Sequence, residues 1–382
     1  MSFMLPIKRF GQRTVVLVLI TALIAIIVVI TATKGISTKS YTTATVVAAP
    51  ATSSNRKVLS QQAMNETLGF GEIVVVSLPD RTDRRDALEI ISAYTNLKLK
   101  FVDGVDGSKM SKKEWPDETP KTFRDSMLGC WRAHANLWQY MLDSNLETLL
   151  ILEDDIDWDV KIHEIFATLS EKLQHNPLRL DTPTERERMA APYGLDWDVL
   201  MVGQCKDVSN PNRLDLSFSY HDSNGPYEKQ IAELFRSQMR KLTDKEDLNR
   251  QRIITPTWEP VCTMGYAITR VGAMRLLTNL SYLGLHAAVD TEIGNHMKAG
   301  NLRGYTVTPP IFNAWRVSGW KDTDIQVHRQ YYKSVGKGNK RGKSMNLKES
   351  ARIKMLEALK QDNWARYNEK FPVERKSGAT TK

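Results

Sequence analysis

Five acids crowd the end of the stretch Leu149–Asp159, LLILEDDIDWD: Glu153, Asp154, Asp155, Asp157 and Asp159. They follow directly on the apolar run Thr148–Leu152, which reads as a buried strand. In open α/β sheets, ligands collect beyond the carboxyl ends of strands. Carboxylates packed there repel one another unless a cation neutralises them. An all-oxygen ligand set suits a hard divalent ion, Mn²⁺ or Mg²⁺, which often bridges to substrate phosphates. If the strand continues, alternation places Glu153 and Asp155 on one face, with Asp155 and Asp157 as a second pair. Glu153, Asp155 and Asp157 are therefore the metal candidates. The competing reading is a solvated acidic loop after a core strand.

A second cluster, Ser77–Arg85 (SLPDRTDRR), follows the short run Gly71–Leu78. Guanidinium groups suit bidentate phosphate contacts, so Arg81, Arg84 and Arg85 could meet a phosphate-bearing ligand. Asp80, Asp83 and Asp86 offer them local ion pairs instead. No G-x-G-x-x-G fingerprint or P-loop occurs here, which counts against a dinucleotide oxidoreductase or an NTPase. In Gly129–Trp138 (GCWRAHANLW), His134 falls on an apolar helix face, as a hydrogen-bonded core residue or a ligand. In Val289–Glu292 (VDTE), Asp290 and Glu292 could supply a general base. His328 is a metal ligand or simply exposed.

The elements that would carry these groups alternate. Gly71–Leu78, Lys98–Val102, Thr148–Leu152 and Asp198–Gly203 read as strands. A helix is expected from a cap at Ser126 to about Ser144, with Met127, His134 and Met141 on its apolar face. Gly265–Leu277 reads as a strand turning into a helix at Val271. This alternation predicts an α/β fold with a mostly parallel central sheet. Residues 206–255 are polar and read as an irregular insertion.

The 382 residues carry 53 bases and 44 acids. The excess sits at the two ends. Lys8, Arg9 and Arg13 precede any acid, and residues 329–354 hold nine bases against one acid. The body between is close to neutral, so no nucleic-acid partner is expected. Residues 14–33 are uncharged and apolar, long enough to span the roughly 30 Å of a bilayer. With the bases before them, they predict a single-pass type II anchor with the rest in the lumen. From Gly35 to Asn55, thirteen of 21 residues are Ser, Thr or Ala, the composition of a flexible stem. The expected layout is a cytosolic tail 1–13, an anchor 14–33, a stem 34–68, a catalytic domain 69–328 and a flexible basic tail 329–382. Asn65-Glu66-Thr67 and Asn279-Leu280-Ser281 are N-glycosylation triplets, usable only in the lumen. Of three cysteines, at most one pair can bridge; Cys205 with Cys262 is possible, but spacing does not select it.

Four blocks in order resemble glycosyltransferase family 25: VVVSLPDRTDRR, LGCWRAHANLWQ, LLILEDDIDWD, and GYAITRVGAMRLL followed by VDTE. Ser77 stands where the family usually has Asn, and Ala133 where it has Ser. The anchored form with a Ser/Thr stem is similar to the fungal branch. The resemblance implies a GT-A-like domain, a nucleotide-sugar donor (commonly UDP-galactose), Mn²⁺ or Mg²⁺, and hexose transfer to a glycan or glycoprotein acceptor with inversion, in the Golgi or ER. It assigns the ion to Glu153, Asp155 and Asp157, and the base to Asp290, with Glu292 as the alternative. Ser77, Arg81, Arg84 and Asp154 would hold the donor, and His134 and Trp138 would shape the pocket wall. The contrasting expectation is a non-catalytic, membrane-tethered luminal protein that binds a glycan or scaffolds other enzymes.

Overall fold

Apolar runs too short for a helix and rich in Val, Ile and Leu pair side by side here as the centre of an eight-stranded sheet. The computed structural model describes residues 53–315, 324 and 344–361. The cytosolic tail, the anchor 14–33, the first part of the stem and His328 lie outside the described residues. Among the described residues no helix is long and apolar enough to cross a membrane.

The chain enters through α1 (Ser53–Gln62), β1 (Glu72–Ser77), α2 (Thr82–Thr95) and β2 (Leu99–Asp103). It continues through α3 (Asp125–Asp143), β3 (Thr148–Glu153), the two-residue β4 (Ile156–Asp157), α4 (Ile162–Gln174) and α5 (Glu185–Ala190). Then come β5 (Val199–Gly203), β6 (Lys206–Asp207), β7 (Phe218–His221), α6 (Glu233–Leu242), β8 (Gln251–Pro256) and β9 (Pro260–Val261). The last elements are β10 (Gly265–Thr269), α7 (Arg270–Leu277), α8 (Val289–Lys298), β11 (Gly304–Thr308), β12 (Asn313–Ala314) and α9 (Ala351–Gln361).

Strand order is β2-β1-β3-β10-β5-β11-β8-β7. β1 lies parallel to β2 and β3, and β5 parallel to β11. β10 runs antiparallel to β3 and β5, and β8 antiparallel to β11 and β7. The expected mostly parallel sheet is thus a mixed one. The error has a physical cause: a strand covered on both faces reads as one apolar run whichever way it points.

Alternation within the strands builds two cores. Ile73, Val75, Leu150 and Leu152 face Leu88 and Ile91 of α2 and Ile165, Phe166 and Leu169 of α4. Val74, Leu149 and Ile151 face Trp131, Trp138 and Met141 of α3, with Leu276 and Ile293 of α7 and α8. The result is a sheet between two helical layers.

Three expectations of irregularity are corrected. The insertion 206–255 supplies β7 and most of β8 to the sheet. Its helix α6 buries Phe235, Met239 and Leu242 against Ile231, Leu248 and Ile253. The later part of the stem is folded too, with Leu59, Ala63 and Leu68 buried. Within the basic tail, Leu347 is buried, and Ala351 and Met355 join the core beside the first helical layer. Polar composition hid these segments because each buries only a few well-spaced apolar side chains.

Cys205 and Cys262 form a disulfide across a sequence separation of 57, and Cys130 stays a free thiol. Opening a loop of that size should cost about 2–4 kcal/mol. Cys205→Ser should lower the urea midpoint of the domain accordingly. Equal midpoints for wild type and variant would show that the cross-link contributes nothing to stability.

Candidate active site

The carboxyl ends of β1 and β3 open into a cavity of about 660 Å³. Its walls come from the turn after β1 (Ser77, Asp80, Arg84), the loop after β2 (Val105, Gly107), the first half of α3 (Gly129, His134) and the acids Glu153, Asp154 and Asp155. The loop and the helix touch backbone to backbone. A Cβ on Gly129 would meet the Val105 carbonyl oxygen at 2.3 Å, and one on Gly107 would meet the Asp125 carbonyl oxygen at 1.7 Å. Only glycine permits that approach, and the apolar side of the cavity depends on it.

Strand alternation predicts that Asp154 faces away from Glu153 and Asp155. Instead β3 stops at Glu153 and the chain bends through 154–155, so all three acids line the cavity. Each is engaged differently. Asp154 accepts from Ser77 Oγ at 2.7 Å and forms a buried ion pair with Arg84. Burial pushes its carboxyl up, against the pull of Arg84 and Ser77. Glu153 Oε1 accepts from Thr263 Oγ1 at 2.6 Å and lies 3.8 Å from His134 Nε2. The Asp155 side chain is buried, and its backbone carbonyl accepts from the Trp315 N–H at 2.6 Å.

Asp157 stands apart from this group. It does not line the cavity, and its carboxylate accepts from Ser344 Oγ at 2.8 Å, Ser350 Oγ at 2.5 Å and the Arg352 N–H at 3.3 Å. The Arg352 guanidinium donates to the Ile156 carbonyl at 2.7 Å and lies over the Trp315 ring. Asp159 accepts from the backbone of Lys161 and Glu349, and burial pushes its carboxyl up to about 6. The second half of the acidic block therefore binds the C-terminal segment rather than a ligand.

His134 belongs to a hydrogen-bonded chain that runs below the cavity floor. Trp138 Nε1 donates to Tyr266 Oη at 3.0 Å, and Tyr266 Oη lies 2.9 Å from His134 Nδ1. Thr263 Oγ1 lies 3.4 Å from His134 Nε2. Since the Thr263 hydrogen goes to Glu153, its oxygen can only accept from His134. For a neutral ring this puts the proton on Nε2 and makes Tyr266 the donor to Nδ1. Trp138, expected on the pocket wall, is fully buried beneath it.

The remaining candidates separate. Arg81 is paired with Asp83 at 2.9 Å and with Asp324, and it does not line the cavity. Asp324 also lies 3.2 Å from Arg84. Asp290 accepts from the Cys262 N–H at 2.9 Å and the Thr291 N–H at 2.8 Å. It lies close enough to Cys130 that, after burial and Glu153, it helps push that thiol up. Glu292 is buried and accepts from the His286 N–H at 2.7 Å, which ties the loop before α8 to the helix. Neither Asp290 nor Glu292 lines the cavity, but Asp290 acts on Cys130, which does.

Residues 70–190 match the family described as glycosyltransferase family 25 (LPS biosynthesis protein). The matched stretch contains the β1 turn, α3 and the whole acidic block. Residues 70–190 are thus similar to glycosyltransferase family 25. Relatives of the chain include procollagen galactosyltransferase 2 of Mus musculus, 24% identical over 39% of this chain and 23% of that protein. Procollagen galactosyltransferase 1-B of Xenopus laevis is 21% identical over 69% of this chain and 39% of its own length. The inactive glycosyltransferase 25 family member 3 of Homo sapiens is 25% identical over 38% of this chain and 23% of that protein. The chain thus spans well under half the length of these relatives.

Within this cavity, the fit of a divalent ion can be tested on the donor set. Glu153 and Asp155 present hard oxygen ligands to the cavity, as the chemistry requires. Among the described residues no three acidic, His or Cys side chains converge as a finished cage. The residues fit an ion that is completed by oxygens of a bound ligand. Thr263 and Tyr266, which set Glu153 and His134, lie outside the family match and were missed by sequence reasoning. Their only signal is position: Tyr266 lies within the GYAIT strand and Thr263 just ahead of it.

Removing the Thr263 hydroxyl would leave Glu153 without its donor. A bond to a charged acceptor contributes about 1.5–3 kcal/mol. Thr263→Val should therefore destabilise the domain by that order in urea titrations, and Thr263→Ser should stay near wild type. Equal losses in both variants would place the cause in packing rather than in the hydroxyl.

Proposed function

We propose that this chain is a metal-dependent glycosyltransferase. It moves a hexose, galactose in the first instance, from a nucleotide-sugar donor such as UDP-galactose to a hydroxyl of a glycan or glycoprotein acceptor, with inversion. One observation carries the reading: Glu153 and Asp155 line, from the end of β3, the same cavity as the β1 turn and α3. The relatives named procollagen galactosyltransferase support the choice of galactose.

Glu153 and Asp155 would hold Mn²⁺ or Mg²⁺, which when bound would neutralise charge on the leaving diphosphate. The protein's own groups do the rest. Arg84 and Ser77 both bond to Asp154 and fix its side chain, which shapes the donor side. The Thr263–His134–Tyr266 chain holds Glu153 in one orientation. Asp290 would take the acceptor's hydroxyl proton as that oxygen attacks the anomeric carbon and the bond to the diphosphate breaks. Its two backbone donors hold the carboxylate in place for that step.

Placement in the Golgi or ER membrane, anchored by 14–33 with the domain in the lumen, is part of the same proposal. The bases ahead of the apolar run support it, and so does the Cys205–Cys262 bridge, a feature of oxidising compartments.

A second reading, a tethered glycan-binding protein without catalysis, draws on two observations. One relative is named inactive. Arg81 and Arg84 are both already paired with carboxylates of the chain itself.

The deciding experiment is hydrolysis of a panel of nucleotide sugars by residues 53–382, with and without Mn²⁺. Losing an outer-shell partner of a metal costs about 10–100-fold, so Asp155→Ala should cost at least about 100-fold and stay folded. Full turnover in that variant rejects the metal role. No hydrolysis by wild type, and no heat on adding UDP with Mn²⁺, would establish the binding-protein reading.

A further inference from the structure

The chain holds two Asn-x-Ser/Thr triplets, at 65–67 and 279–281, and the fold treats them in opposite ways. Asn65 is exposed in the turn after α1. Its Oδ1 accepts from the Thr67 N–H at 2.9 Å and the Gly69 N–H at 2.9 Å, and at 3.1 Å it shares the Thr67 hydroxyl hydrogen with the Phe70 carbonyl, which is 2.6 Å from that hydroxyl. Every one of these uses the carbonyl oxygen. The amide nitrogen, the atom a glycan takes, donates no hydrogen bond to the described residues. Attaching a sugar to it leaves all three bonds in place.

Asn279 lies in a π-helical turn, and its Nδ2 donates to the Arg275 carbonyl at 2.8 Å. The middle residue, Leu280, is fully buried, and its carbonyl accepts from Trp131 Nε1 at 2.7 Å. The Ser281 hydroxyl is buried without a hydrogen-bond partner. In the packed turn the amide of this triplet is engaged and its hydroxyl is buried, so a glycan on Nδ2 has to compete with the bond to Arg275.

We propose that Asn65 carries an N-linked glycan and that Asn279 does not. The proposal rests on the luminal placement above. In the modification, the Asn65 Nδ2–C1 bond to the sugar forms, the C1–O bond to a lipid-diphosphate-linked oligosaccharide breaks, and the Nδ2 proton leaves. The mature site is the turn that joins α1 to β1, on surface that no described residue covers.

The test expresses the full chain in a eukaryotic cell with an intact secretory pathway. Peptide mass spectrometry after amidase deglycosylation should find Asn65 converted to Asp, and Asn279 unconverted. On gels, wild type should shift by one glycan on deglycosylation, Asn279→Gln should shift alike, and Asn65→Gln should not shift. The mass-spectrometric arm uses wild type only, so a folding defect in Asn65→Gln leaves the answer intact. A control variant, Pro50→Asn, makes an acceptor triplet of residues 50–52 and reports the compartment. If Pro50→Asn is modified at 50 while Asn65 is bare in wild type, or if Asn279 is occupied, the site assignment is overturned. If Pro50→Asn is bare at both 50 and 65, the luminal placement itself falls, and the site with it.

Discussion

Mutual repulsion among the acids at the end of β3 is the constraint that organises the rest of the molecule. Five carboxylates within residues 153–159 cannot stay unpaired in a half-buried setting. The fold resolves this for four of them by sending them to three different parts of the chain. Asp154 goes to the β1 turn, through Ser77 and Arg84. Glu153 goes to Thr263 ahead of β10. Asp157 and Asp159 go to the C-terminal segment, through Ser344, Ser350 and the Glu349 N–H. The acidic block is therefore a hub of long-range contacts, and one side of that hub faces the cavity.

The disulfide takes on a second meaning in this light. Cys262 has a positive φ of 70° and gives its N–H to Asp290, and the next residue gives its hydroxyl to Glu153. Linking Cys262 to Cys205, just after β5, fixes the short segment that aims both carboxylates. Cross-link and site geometry are one piece of architecture.

Much of the frame was legible beforehand. The strands at β1, β2, β3, β5 and β10 lie where apolar runs predict them, and α3 spans the expected stretch, because local burial patterns carry that information. The direction of β10 was not legible, since both faces of the sheet are covered. The insertion and the basic tail concealed folded elements because they bury few side chains against partners far along the chain.

Within the site, the amino-acid sequence by itself determined which groups meet. Glu153, Asp154 and Asp155, the β1 turn with Ser77 and Arg84, and the His134 helix all line one cavity, because strand ends and the helices beside them must share the sheet's carboxyl edge. Tertiary structure alone decided the division of labour. It gave Asp157 to Ser344 and Ser350, some 190 residues away, buried Trp138 under the floor, tied Glu292 to its own loop and brought Thr263 to Glu153. Hydrogen bonds between residues that far apart leave no local pattern, since their partners are chosen by which surfaces the folded layers bring together.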